Sequence, residues 1–79
     1  MTHSIKKYIS DLEEGQKAII KDIDIDCIPL KIIELGCFPG AEVEMIQKAT
    51  FNDPLYINID GTYLSIRKEM AALIEIDNK

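Results

Sequence analysis

The clearest alternation of apolar and polar positions runs from Pro54 to Arg67. Leu55, Ile57 and Ile59 interleave with Tyr56 and Asn58, and Thr62, Leu64 and Ile66 interleave with Tyr63 and Ser65. A period of two marks strands that bury one face. Between the two runs stands Asp60-Gly61, a pair suited to the positive backbone angles of a two-residue hairpin turn. That turn sets Ile59 against Thr62, Ile57 against Leu64 and Leu55 against Ile66, which puts these residues on the core face. The other face carries Tyr56, Asn58, Tyr63 and Ser65. A slip of one residue would exchange the two faces, so turn chemistry and alternation specify the same register.

Weaker patterns fill the rest of the chain. Lys17–Ile25 reads as a strand, with its apolar parity changing between Ala18/Ile20 and Ile23/Ile25. A one-residue bulge near Lys21-Asp22 would return both pairs to the core. Asp26 is placed to cap a helix whose first turn holds Pro29, and Leu30, Ile32, Ile33 and Leu35 give that helix a broad apolar face. Lys31 and Glu34 then face solvent. Gly36 ends the helix, and Pro39-Gly40 fits the centre of a type II turn. Ala41–Ala49 alternates as a strand with Val43 and Met45 inward, followed by a loop, Thr50–Asp53, that carries Phe51. Lys68–Ala72 reads as a helical turn and Leu73–Ile76 as a last strand. Ahead of all this, Ser10–Gly15 forms a turn with Leu12 tucked into the core. Residues 1–8 are polar and read as a frayed end, although Ile5, Tyr8, Ile9 and Leu12 have helical spacing.

The order is therefore strand, helix and four more strands: a mainly β domain with one or two short helices. So few short strands must curl into a small closed barrel to hide their edges. The 79 residues make one domain, 1–79, with a thin core. With 47% apolar and 29% charged residues, the composition is that of a globular protein rather than a disordered one.

Charge narrows the partners. Residues 1–21 sum to +1 (four Lys against three acids) and residues 22–79 to −6 (five basic against eleven acidic), for a net −5. Nothing resembles the basic stripe that nucleic acid requires, and anionic membranes are disfavoured for the same reason. The longest apolar run, Met70–Ile74, is too short for a membrane span or a signal segment, which points to the cytoplasm. Cys27 and Cys37 lie about 15 Å apart if a helix separates them, too far for a disulfide or a shared metal, and read as free, buried thiols.

Candidate chemistry is sparse. Asp22, Asp24 and Asp26 suggest a calcium loop, but its sixth and twelfth positions hold Cys27 and Ile33 instead of glycine and glutamate. On a strand the three carboxylates stand about 6.6 Å apart, a solvated row rather than a chelate. His3, the one histidine, has no organised neighbours with which to build a nucleophilic or metal site. Gly36 and Gly40 lack the Lys-Ser/Thr that a phosphate loop needs, and serve backbone geometry. The expectation is no catalysis, no cofactor and no metal site. Surface contacts remain. Tyr56 and Tyr63 are diagonal neighbours on the outward hairpin face, where partner contact and plain strand packing stand level. Phe38 and Phe51 sit in turns, where core packing leads.

Leu35-Gly36-Cys37-Phe38-Pro39-Gly40 resembles the signature of the FeoA family. Glu34, Val43, Asp53-Pro54, Ile66-Arg67-Lys68-Glu69, Ala71 and Ile74-Glu75-Ile76 follow the family pattern, with Leu12 and Gly15 upstream. The resemblance covers residues 9–77; Met70, where relatives carry polar residues, and the single helix base Lys31 depart from it. It implies an SH3-like barrel and a role in bacterial ferrous iron uptake beside FeoB, a permease with a cytoplasmic G-protein domain. Transition metal binding is a family-level label. The partner surface it suggests is Gly36, Phe38, Pro39 and Gly40 with Lys31 and Glu34, and then Tyr56 and Tyr63. Weak self-association is a further expectation. The alternative is a regulatory module, since the same barrel forms the C-terminal domain of iron-dependent repressors.

Overall fold

The computed structural model describes residues 6–49, 51 and 53–78, the side chain of Asn78 excepted. Six antiparallel strands form one sheet in the order β1-β6-β2-β3-β4-β5. They are β1 (Lys7–Tyr8), β2 (Lys17–Asp22), β3 (Glu42–Lys48), β4 (Leu55–Ile59), β5 (Thr62–Ile66) and β6 (Glu75–Asn78). Helix α1 (Leu30–Glu34) lies between β2 and β3, helix α2 (Lys68–Ala71) between β5 and β6, and a 3-10 turn (Ile9–Asp11) follows β1. The architecture is the mainly β one the alternation predicts, with two differences. Lys7 and Tyr8 join the sheet opposite Ile76 and Glu75 instead of fraying. The pairing also stops at β1 and β5, so the sheet curls without a closing ladder.

The hairpin follows its sequence register pair by pair, from Ile59 opposite Thr62 to Leu55 opposite Ile66. Asp60 and Gly61 take φ of 48° and 94°, and the Gly61 N–H donates to the Asn58 side chain at 2.9 Å. The Asp60 carboxylate also accepts from the Glu42 N–H at 3.1 Å, which ties the hairpin tip to β3. Leu55, Ile57, Ile59 and Ile66 are buried with Val43, Met45, Ala18 and Ile20, and Leu64 packs against them half-buried. Leu12 is buried as expected.

Both long central strands carry an irregularity. In β2 the register against β6 shifts between Ile20 and Asp22, where the parity change calls for a bulge. The strand then ends, three residues earlier than expected, and residues 23–28 form turns. Ile23 packs partly against the core, whereas Ile25 is 70% exposed, so the bulge does not return it to the interior. Asp24, rather than Asp26, organises this stretch. Its carbonyl accepts from Cys27 and Ile28, and its side chain accepts from the Asp26 N–H at 3.0 Å. In β3 the register against β4 shifts between Met45 and Gln47. The last strand begins at Glu75, two residues later than expected, because Leu73 and Ile74 close the turn after α2.

Helix α1 is the main correction. Pro29, not Asp26, stands at its N-cap, and no helix residue is fully buried. Ile32 and Ile33 pack partly on the core, but Leu30 and Leu35 are exposed. Five residues cover less than two turns, so one flank alone reaches the sheet. Ile28 and Cys37, on either side of the helix, carry the burial instead.

Ile57 and Ile25 are both apolar residues assigned to the interior by pattern, and the structure separates them. Ile57→Ala is expected to cost about 2–5 kcal/mol, and Ile25→Ala no more than about 0.5 kcal/mol. Urea unfolding of the two variants checks this; equal losses would contradict the placement of Ile25.

Candidate functional site

The turn after α1 is built from backbone requirements. Gly36 has φ of 114°, and its N–H donates to the Ile33 carbonyl at 3.0 Å, closing the helix end. A Cβ at Gly36 would lie 3.6 Å from Ile59 Cγ2, so this residue sits half-buried on the end of β4. Pro39-Gly40 forms the type II turn: Gly40 has φ of 98° and the Ala41 N–H returns to the Phe38 carbonyl at 3.1 Å. The Gly40 N–H then donates to the Ile20 carbonyl at 2.8 Å, and the Ile20 N–H to the Ala41 carbonyl, also at 2.8 Å. Gly36 and Gly40 therefore position this surface; their backbone N–H groups are occupied.

What the turn displays is Phe38, 46% exposed, with exposed Pro39 beside it. On α1, successive residues step about 100° around the axis. With Ile32 and Ile33 toward the core, Lys31 and Glu34 face outward and Leu30 and Leu35 flank them. Leu30, 67% exposed, is more open than Phe38. The result is a mixed face of Leu30, Lys31, Glu34, Leu35 and Phe38: apolar side chains around one base and one acid. The spacing finds the two charges but misses the two leucines, because pattern reading takes every apolar helix residue as core.

Tyr56 and Tyr63 stand on the outward sheet face, as the alternation requires, and both are exposed. They line a shallow groove with Ile46, Gln47, Leu64 and Ser65. Ile46 lies outward by the alternation that buries Val43 and Met45, and the β3 irregularity after Met45 sets Gln47 opposite Tyr56, which keeps Gln47 on the outward face as well. Nothing in the local sequence marks that bulge. Phe51 is no core plug; it is 92% exposed with φ of 64°.

The acidic run does not form a row on a strand. Asp22 ends β2 and caps its neighbour, the Ile23 N–H donating to it at 2.9 Å, while Asp24 and Asp26 lie in the following turn. Among the described residues no three His, Cys, Asp or Glu side chains group to hold a metal ion. His3 and Ile5 lie outside the described residues. Both cysteines are free. Cys37 is buried, and burial pushes its thiol up to about 11. Cys27 is exposed, contrary to expectation; its Sγ hydrogen-bonds the Asp24 carboxylate at 3.3 Å. That bond, the Asp24 charge, partial desolvation and the Asp26 charge all raise its pKa.

No helix among the described residues is long and apolar enough to cross a membrane. The FeoA domain model matches residues 7–78. A fusion of Fe(2+) transport protein A with the Fe(2+) transporter FeoB from Porphyromonas gingivalis is 33% identical over 70 residues. The match takes in 87% of this chain but 8% of that protein. Among solved structures, a FeoA-like protein from Clostridium acetobutylicum superposes with a TM-score of 0.83 at 25% identity, over 96% of this chain and 90% of that one. The zinc complex of FeoA from Stenotrophomonas maltophilia, described as an SH3 domain protein, gives 0.71 at 25% identity, over 94% and 91%.

The thiols supply two expectations. Iodoacetamide should label Cys27 in the native protein and Cys37 only after unfolding, with Asp24→Asn speeding the first reaction. Stability should also depend on pH through Cys37. The folded protein holds this thiol protonated up to about 11, above its ordinary 9.0. Its contribution is intact below pH 9 and is lost as pH rises toward 11. Urea unfolding across that window should show a smaller alkaline loss for Cys37→Ala than for the parent; equal losses would contradict the buried thiol.

Proposed function

The chain belongs to the FeoA family, and from that premise we propose that it is an accessory protein of ferrous iron uptake that works by touching an FeoB-type permease. The observation that carries this reading is the fused relative, in which a transport protein A module and FeoB share one polypeptide. A covalent join holds two modules at high effective concentration, which favours contact between them. The chain itself acts in the cytoplasm, where the permease presents its G-protein domain. The role proposed is contact rather than catalysis, through a mixed apolar and charged face and a pair of tyrosines. Iron is the cargo of the system rather than a resident cofactor of this chain.

The contact surface in this proposal is the outer face of α1 with the turn that follows. Lys31 and Glu34 supply the polar part, Leu30, Leu35, Phe38 and Pro39 the apolar part, and Gly36 and Gly40 the backbone that holds them. An apolar centre beside charged groups is the usual anatomy of an interface. An ordinary contact takes about 800 Å² from each partner, roughly a sixth of the 5194 Å² surface of this chain. The Tyr56/Tyr63 face is the second surface. A repressor-type role needs a DNA-reading helix, and α1 and α2 have five and four residues.

Lys31→Glu/Glu34→Lys should leave the unfolding midpoint unchanged and weaken capture of the permease by about tenfold or more, and Phe38→Ala by a similar factor. The checks are a pull-down with the detergent-solubilised permease and ferrous uptake in a strain lacking this protein. Full rescue by both variants and by Tyr56→Ala/Tyr63→Ala would sink the surface. Normal ferrous uptake in the deletion strain itself would sink the function.

A further inference from the structure

We propose that β5 is a self-pairing edge, at which two copies of this chain join their sheets antiparallel about a two-fold axis at Leu64. The sheet ends at β1 on one side and β5 on the other. An unpaired strand edge is a template for another strand unless shortness, charge, proline or a bulge blunts it. β1 has two residues, one of them Lys7. β5 has five residues, Thr62-Tyr63-Leu64-Ser65-Ile66, with no charge, no proline and an unbroken register against β4. Of the two edges, β5 is the unprotected one.

Hydrogen-bond parity shows what this edge offers. A two-residue turn makes its flanking residues, here Ile59 and Thr62, a bonded pair, and bonded pairs recur at every second position. Thr62, Leu64 and Ile66 therefore spend their backbone groups on β4, while Tyr63 and Ser65 direct N–H and C=O away from it. A two-fold axis at Leu64 sets Tyr63 of each copy opposite Ser65 of the other. All four outward N–H groups and all four outward carbonyls then fall into register, giving four new backbone bonds. The side chains fit the same operation: Tyr63, 73% exposed, meets a small serine. The groove of Ile46, Tyr56 and Tyr63 continues from one copy into the next.

Charge favours this site over the rest of the surface. Each copy carries −5, so two copies repel in most orientations. The β5 strand brings no charge to the contact. Beyond its ends, the same register points Asp60 of each hairpin toward the Arg67-Lys68 end of the other, a pairing of opposite sign.

The test uses the purified chain alone, so its failure leaves the permease contact untouched. Sedimentation across roughly 10 μM to 1 mM, the range suited to a small interface, should show the mass doubling. Over the same range, amide hydrogen exchange at Tyr63 and Ser65 should slow with concentration, while Leu64 and Ile66 stay protected throughout. Ser65→Lys puts a charge at the edge and should weaken the dimer about tenfold or more with the melting temperature unchanged. A chain that stays monomeric at the highest concentration overturns the proposal, as does a dimer whose Tyr63 and Ser65 amides exchange freely. A monomer in which those two amides become protected only on adding the permease assigns the edge to that partner and overturns self-pairing too.

Discussion

Apolar burial on one curved sheet is the interaction on which this protein depends. Sixteen residues are buried among those described, and none of them is polar or charged. Lys21 with Glu75 and Asp77, and Arg67 with Asp53, form ion pairs of 3.6–3.9 Å that involve lysine and arginine side chains mostly in water. Exposed pairs of this kind contribute about 0–1 kcal/mol each. With no buried charge to satisfy, the fold rests on which face of each strand its side chains occupy. Each backbone device described above, from the hairpin turn to the Gly36 helix stop, serves that choice of face.

How much of this can be read from the residues varies with the number of independent signals at each place. The β4–β5 hairpin is legible to the single pair, because Asp60-Gly61 fixes the turn and the alternation fixes the faces. The Gly36 stop and the Pro39-Gly40 turn are legible because each needs a conformation open to few residues. At α1 a single signal, apolar content, stands alone. A segment of five residues shows too little periodicity to say which apolar side chains point inward, so Leu30 and Leu35 are read as core when they lie outside. Ile25 is misplaced for a related reason. The parity change in β2 predicts the bulge, but only the pairing with β6 shows that the strand ends there.

The candidate surface divides in the same way. Lys31, Glu34, Phe38 and Pro39 come to the outer face of α1 and its turn, and Tyr56 and Tyr63 to the hairpin face, where alternation puts them. Gly36 and Gly40 support the first surface rather than forming it. Ile46 is outward by the same alternation that buries Val43 and Met45; Gln47 is the residue that pattern misplaces, since the β3 bulge that keeps it outward arises from a mismatch between two strands rather than from either one alone. The apolar residues that pattern misplaces reach the surface where the backbone departs from regular pairing: after the β2 bulge and along a helix too short to bury both flanks.

The strand order also fixes the direction from which anything joined to this domain must come. β1 and β6 are neighbours, with Lys7 opposite Ile76, so the backbone at Lys6 and the backbone past Asp77 leave the sheet side by side. β5 is at the far end of the order, four strands beyond β6. A tether attached on either side of this domain therefore starts from one corner, and swapping it from one end to the other moves its anchor little. A domain of this topology can be carried at the front or the back of a larger polypeptide and still present the same outward surface.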